Sequence, residues 1–510
     1  MRLPRASGIL LHITSLPGPH GSGDFGPAAY HFVDWLHTAG QSVWQTLPLT
    51  PLGPGYSPYM SCSAFAGNPL LLDLGALHAR GWLLAHEVQP LPCADPVCID
   101  FPAVVAWRMQ RLQWAFDRFV QQGTPEDRAD FDAFCQRQAS WLDDFALFMA
   151  LDERHAGRPW TQWDPSLAQR QPEAIRSARR EWAHRVAFWQ FVQWCFDGQW
   201  QALRAYARAK GVRILGDMPI FVAHHSADVW VNPQLFELDA RGEPTVVAGV
   251  PPDYFSPTGQ RWGNPLYRWS AHARDGFGWW IARLRHCMAW VDLVRIDHFR
   301  GFESHWEIPA DAPTAVQGRW VAGCGDALFE AIRAALGELP LIAEDLGVIT
   351  PAVQALRQRQ RLPGMCVLQF AWGEHGQGQP RYLPHRYSAD TVVYTGTHDN
   401  DTTWGWWNSQ SEPVRHHLRE YLASNGLDVS WDLIRAASAS VADLAIFPLQ
   451  DVLNLGSEHR MNRPGTSGGN WGWRFHWGMV EPWHAQRLRR VTELYQRLPE
   501  ADQDAASAAQ

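Results

Sequence analysis

The sequence predicts an α/β fold, a (β/α)8 TIM barrel with a large helix-rich insertion and extended loop insertions around one rim. Three observations carry this prediction: eight short apolar runs, amphipathic segments between many of them, and acidic residues where several runs end. Near-continuous apolar runs fit parallel strands covered on both faces. Strands alternating with helices are the pattern of a parallel barrel.

In order, the runs are GILLHITSL from Gly8, SVWQTLPL from Ser42, VRILGDMPIFV from Val212, WVDLVRIDHF from Trp290, LPLIAEDLG from Leu339, PGMCVLQFA from Pro363, TVVYTGTHD from Thr391 and AIFPLQDVL from Ala445. Apolar residues at helical spacing predict helices over 28–40, 277–291, 326–336, 351–361 and 413–425. The first two strands fall in 1–60 and the third in 202–222. Between them, 61–201 reads as a helix-rich insertion subdomain, with helices over 101–122 and 127–155 and another over 180–210 leading back into the barrel. Segment 223–275 is rich in Pro and Gly and reads as a lid over the site, since long loops inside compact enzymes are usually functional. Strands four to eight and C-terminal helices occupy 276–500, and 501–510 reads as a disordered tail.

The chain has 510 residues, 46% of them hydrophobic, which is ample core material. A net charge of −8 without a basic stripe argues against nucleic acid and acidic membranes as partners. The apolar run at the N-terminus is about five residues long, short of the roughly 7–15 of a secretory signal. No run approaches the roughly 20 residues of a membrane helix, so a cytoplasmic protein is expected. Eight scattered cysteines read as reduced, mostly buried thiols; Cys93 and Cys98 lack the second pair of a zinc site. The 29 tryptophans against 11 tyrosines stand out, because several lie beside polar or Gly-rich loops, as in TGQRWGNPLYRW, TTWGWW and GNWGWRF. Flat rings of this kind stack on pyranose faces, although packing in the core accounts for most tryptophans.

The chemistry gathers at the run ends. Strand alternation in WVDLVRIDHFRGF puts Arg295 and Asp297 on one face. Taken alone, such a pair reads as a buried ion pair. The third run, however, carries Asp217, the fifth Glu344 and Asp345, and the seventh His398 and Asp399, and barrel strands deliver their carboxyl ends to one rim. Several carboxylates converging without lysine or metal is costly for stability alone. Glycoside chemistry uses such a pair, one carboxylate ionised to attack the anomeric carbon and one protonated for the departing oxygen. Arg295 is expected to keep Asp297 charged, and the neighbouring carboxylates to keep Glu344 protonated. His398 reads either as a donor to a sugar hydroxyl or as a structural histidine. HHSAD at His224 is the nearest approach to a metal motif, and the sugar reading needs no metal.

Eight segments together resemble one family: GILLHITSLPGPHGSGDFG, YSPYMSCSAFAGNP, GDMPIFVAHHSADVW, VVAGVPPDYFSPTGQRWGNPLYRW, VRIDHFRGFESHWEIP, LIAEDLGVITP, YTGTHDNDTT and QDVLNLGSEHRMNRPGTSGGNWGWRF. The chain is similar over residues 5–495 to the amylomaltases, bacterial 4-α-glucanotransferases of glycoside hydrolase family 77 in the α-amylase clan. The resemblance implies that Asp297 forms the covalent glucosyl intermediate, Glu344 serves as acid and then base, and Asp399 stabilises the transition state. It further implies that Arg295, His398 and Asp217 hold the sugar at the cleavage subsite and that Tyr59 stacks there. Asp253, Gln260 and Trp262 would belong to the loop closing over the glucan. Substrates would be α-1,4-glucans and maltooligosaccharides with glucose as an acceptor, in a monomer needing neither metal nor organic cofactor. The chain departs from the family pattern at His224 and His225, Asn454 and His459. Two other readings stay open at this point: an α-amylase-like retaining hydrolase, and a glucan-binding protein without turnover.

Overall fold

The computed structural model describes residues 3–252, 256–373, 380–466 and 468–499. Eight parallel strands form one sheet: β1 (Ala6–Leu10), β2 (Val43–Gln45), β3 (Arg213–Pro219), β4 (Leu293–Asp297), β5 (Leu341–Ala343), β6 (Gly364–Val367), β7 (Thr391–Tyr394) and β8 (Leu444–Pro448). They run side by side as β6-β7-β8-β1-β2-β3-β4-β5. The Ala343 N–H donates to the Pro363 carbonyl at 2.9 Å, which ties β5 to the chain entering β6 and closes the ring. Every predicted run overlaps one of these strands, so the (β/α)8 barrel expected from the sequence is the fold observed.

Local sequence accounts for most elements. The helix Pro27–Thr38 starts at a proline, whose missing N–H is no loss in a first turn, and buries Ala29, Phe32, Val33 and Leu36 at helical spacing. Gly8 is needed where β1 meets β2, because a Cβ there would lie 2.2 Å from the Val43 carbonyl oxygen. Strands β1, β7 and β8 are buried along their whole length, as strands covered on both faces should be.

Between β2 and β3 the chain builds the long helices Phe101–Gln122, Pro125–Arg154 and Ala183–Ala209. The second begins with a capping box in which Thr124 and Asp127 satisfy each other's backbone N–H groups. The helix expected over 180–210 is two helices, because Trp182 leaves helical geometry and serves both as the end of Pro172–Glu181 and as the start of Ala183–Ala209. Trp200, fully buried, donates its indole N–H to the Trp290 carbonyl at 3.0 Å, fastening the insertion to the barrel.

The sequence does not foresee a second sheet. Val246–Val250 and Gln260–Pro265, from the segment read as a lid, pair antiparallel with each other. Two strands beyond β4, Ser304–Pro309 and Arg319–Ala322, extend the same sheet. These strands are short; Val246–Val250 is apolar throughout and the other three mix polar with apolar residues, so no shared pattern marks them as one sheet. Trp290, read as the start of the fourth run, is the last residue of the helix Gly278–Trp290. The chain turns extended at Val291, and Asp292 is held by Arg204, Arg208 and the Ile214 N–H before β4 begins. The cysteines are unpaired, but only Cys195 is buried, five are half-buried, and Cys93 and Cys98 are exposed, which corrects the expectation of mostly buried thiols. Among the described residues no helix is long and apolar enough to cross a membrane. Residues 501–510 lie outside the described residues.

Candidate active site

Asp217 on β3 and Arg295 on β4 are register partners, so their side chains point the same way into the barrel. Arg295 Nη1 contacts both Asp217 oxygens at 2.7 and 2.8 Å, and Nη2 lies 3.0 Å from Asp297 Oδ1. Arg295 and Asp217 are buried, whereas the Asp297 side chain is 30% exposed and so is the member of the chain open to a ligand. The Tyr59 hydroxyl donates to Asp217 Oδ2 at 2.7 Å. Asp217 is thereby fully engaged, which makes it a positioning residue for the guanidinium.

Glu344 follows β5 directly and is fixed by backbone. Its Oε2 accepts the His298 N–H at 2.7 Å, and its Oε1 accepts the Leu346 N–H at 2.9 Å. His298 has φ +51, a left-handed conformation unusual for a residue with a side chain. The turn it makes also sends the Phe299 N–H to the Glu344 carbonyl at 3.1 Å, so the end of β4 and the end of β5 are laced together.

Charge in this cluster is set by burial before it is set by neighbours. Burial pushes Asp297 up to about 6; Arg295 opposes this, while Asp217 and Asp399 add to it. Burial likewise pushes Glu344 up to about 7, with Arg295 opposing and Asp297 adding. The sequence reading has Arg295 simply holding Asp297 ionised. The structure corrects this, because the guanidinium is shared with Asp217 and desolvation outweighs the part that Asp297 receives. Glu344 still keeps its proton to higher pH than Asp297.

Asp399, beyond β7, accepts from Asn462 Nδ2 at 2.6 Å and lies 3.3 Å from His398 Nε2. Arg460 donates to its backbone carbonyl at 2.8 Å. His398 stacks on Tyr59 with ring centroids 5.2 Å apart, and Trp471 packs against both. On the other side, Trp262 stands edge-on to His298 at 4.9 Å and donates to Gln260 Oε1 at 3.1 Å. The predicted residues Tyr59, Asp217, Arg295, Asp297, Glu344, His398 and Asp399 therefore meet at one rim, with Trp262 and Gln260 beside it. Asp253 lies outside the described residues.

Sequence reasoning missed Asn462, Trp471, His298 and His12. His12 stands just past the end of β1, contacts Thr46 Oγ1 at 3.2 Å, and is pushed down to about 3 by burial and by nearby His398. The rule that located the acids, a polar residue at a strand's carboxyl end, points to it as well. No local pattern marks Asn462 or Trp471, which reach Asp399 and His398 from a loop beyond β8. The histidines of HHSAD are occupied elsewhere: His224 Nε2 bonds the Gly242 carbonyl at 2.7 Å, and His225 bridges Asp152 Oδ1 and the Trp160 N–H. His224 ties the lid segment to itself, and His225 joins it to the insertion. Among the described residues no group of three or more His, Cys, Asp or Glu is arranged to hold a metal ion.

A family profile described as 4-alpha-glucanotransferase matches residues 11–480, a span that includes every site residue from His12 to Trp471. This chain belongs to the 4-alpha-glucanotransferase family. The 4-alpha-glucanotransferase of Thermus thermophilus is 52% identical to it over 98% of this chain and all of the relative. That of Synechocystis is 49% identical over 97% of this chain and 98% of the relative. Among solved structures, the amylomaltase from Streptococcus agalactiae in complex with acarbose superposes with a TM-score of 0.94 at 37% identity, covering 97% of this chain and all of that one. Membership in a 4-alpha-glucanotransferase family makes the chain a glycosyltransferase, and the acids described above sit where such a barrel enzyme carries its chemistry.

Proposed function

We propose that this enzyme transfers segments of α-1,4-glucan to the 4-hydroxyl of glucose or another glucan by a retaining double displacement. Asp297 attacks the anomeric carbon while Glu344 protonates the departing glycosidic oxygen, giving a β-linked enzyme ester and a free reducing-end fragment. Glu344, now ionised, takes the proton from the acceptor hydroxyl as that oxygen attacks the ester, and the second inversion restores the α configuration. Asp399, held by Asn462, stabilises the positive charge on the sugar ring in both transition states. Tyr59, Arg295 and His398 position the sugar, Asp217 does so through Arg295, and the lid carrying Asp253, Gln260 and Trp262 closes over the glucan and excludes water.

The observation that carries this assignment is the unequal fixing of the two acids. Asp297 has an arginine 3.0 Å away and is partly open, whereas Glu344 is oriented by two backbone N–H groups and is raised to about 7 by burial and by Asp297, although those N–H groups favour its charged form. An ionised Asp297 with a protonated Glu344 is the state needed, and it is most populated between about 6 and about 7. The proposal includes a cytoplasmic monomer, so light scattering of the purified chain should give the mass of a single chain.

Incubation with maltotriose alone tests the reaction. A ladder of longer maltooligosaccharides plus glucose, at constant total reducing ends, is expected. Glucose and maltose with rising reducing ends would identify a hydrolase instead. Asp297→Asn should abolish the ladder and leave glucan binding largely intact; retained turnover would remove Asp297 as nucleophile.

A further inference from the structure

The four-stranded sheet ends on the strand Arg319–Ala322, and on it Trp320 is 40% exposed, large for a tryptophan on a folded surface. The ring is held in place. Its cross-strand partner Trp306 meets it at 5.2 Å and 65°, and the Arg300 guanidinium lies 3.7 Å from its centroid. Both contacts fix the orientation of the indole. With the guanidinium against one face and Trp306 at its side, the opposite face is the one left to solvent.

Arg300 also connects this platform to the catalytic rim. It donates to the Val348 carbonyl and, at 3.2 Å, to Ser304 Oγ. Val348 is exposed and stands four residues beyond Glu344, within about 14 Å of it even on a fully extended chain. The same sheet carries Gln260 and Trp262 of the lid on its far edge, and the Ala315 N–H donates to the Thr258 carbonyl, tying the connecting loop to that lid. The platform thus lies on the side of the acid that protonates the departing oxygen.

The surroundings favour a sugar over a protein. Arg319 and Glu307 pair on the opposite face of the sheet, and the polar groups on the side of the indole are the Arg300 guanidinium and the Ser304 hydroxyl. A stable protein interface buries about 800 Å² per partner around an apolar centre. A single fixed flat ring suits instead the C–H face of a pyranose, with Arg300 and Ser304 as the polar groups on that side.

We infer that Trp320 is an outlying stacking site for the acceptor-side segment of a long α-1,4-glucan, several sugars from the bond that reacts. This rests on the transferase reading above. A chain crossing the rim past Glu344 would reach Trp320, whereas maltotriose confined to the cleft would not.

The test compares Trp320→Ala and Trp320→Phe with the unaltered enzyme on amylose and on maltotriose. For Trp320→Ala we expect the KM for amylose to rise about fivefold, equivalent to about 1 kcal/mol, with maltotriose disproportionation unchanged and the phenylalanine variant in between. Retardation of the Asp297→Asn protein in amylose-containing gels should likewise weaken when Trp320→Ala is added. An unchanged amylose KM, or an equal loss on both substrates, would overturn the inference. So would a change of oligomeric state without loss of gel retardation, which would make the patch a self-association surface. Absence of a maltotriose ladder from the unaltered enzyme would instead overturn the reaction, and gel retardation would still score Trp320.

Discussion

Replacing Asp217 by asparagine separates the two influences on the nucleophile candidate. Asp217 occupies Arg295 Nη1 at 2.7 and 2.8 Å, while Nη2 serves Asp297 at 3.0 Å, so one guanidinium is divided between two carboxylates. The charge of Asp217 adds to the upward shift of Asp297. Across one guanidinium the carboxylates are separated by roughly 7 Å, which at an effective dielectric of about 20 gives about 2 kcal/mol of repulsion. That corresponds to about 1.5 pH units. The amide keeps the shape of the side chain and removes the charge. Asp297, whose folded value of about 6 lies above the usual carboxylate range, should then ionise at lower pH.

The assay is the pH dependence of kcat/KM for maltotriose disproportionation, which reports the free enzyme. The acid limb, where Asp297 must lose its proton, is expected to move down by about one unit or more for Asp217→Asn. The alkaline limb, where Glu344 must keep its proton near about 7, should stay, because its shift comes from burial and from Asp297. A lower maximal rate is expected too, since Asp217 also orients Arg295 and Tyr59, so limb position is the readout. An acid limb that stays or rises, or two limbs that move together, would refute the argument.

Tyr59→Phe removes the hydroxyl that donates to Asp217 Oδ2 at 2.7 Å. The expected loss in kcat/KM on maltotriose is about tenfold, the effect of one buried charge-assisted hydrogen bond, and an unchanged value would mean that the contact is idle. Arg108 is fully buried and holds Asp24 at 2.8 Å and the Leu72 carbonyl at 2.9 Å. Arg108→Met leaves that aspartate without its counter-charge and should lower unfolding free energy by about 3–5 kcal/mol in denaturant titration; a loss under about 1 kcal/mol would contradict it. His225→Phe removes the bonds to Asp152 and to the Trp160 N–H and should lower the melting temperature while folded protein retains its transfer rate. Parallel loss of bound zinc and of activity in that variant would show that the histidine is a ligand and not a tie.

The sequence by itself was enough to place the eight barrel strands and to put Asp217, Arg295, Asp297, Glu344, His398 and Asp399 at their carboxyl ends. Both are local matters, because apolar continuity marks a strand covered on two faces and a parallel barrel sends every strand end to one rim. Tertiary structure alone decided the rest. Asn462 and Trp471 meet Asp399 and His398 across more than sixty positions of chain, as the Asn462–Asp399 separation of 63 illustrates. The antiparallel sheet that carries the lid joins segments from either side of β4, and neither half has enough alternation to announce itself. The charge on Asp297 was misjudged for the same reason. An adjacent arginine is visible in Arg-x-Asp, but desolvation and the competing Asp217 are sums over the whole surroundings, and those exist only once the chain has closed into a barrel.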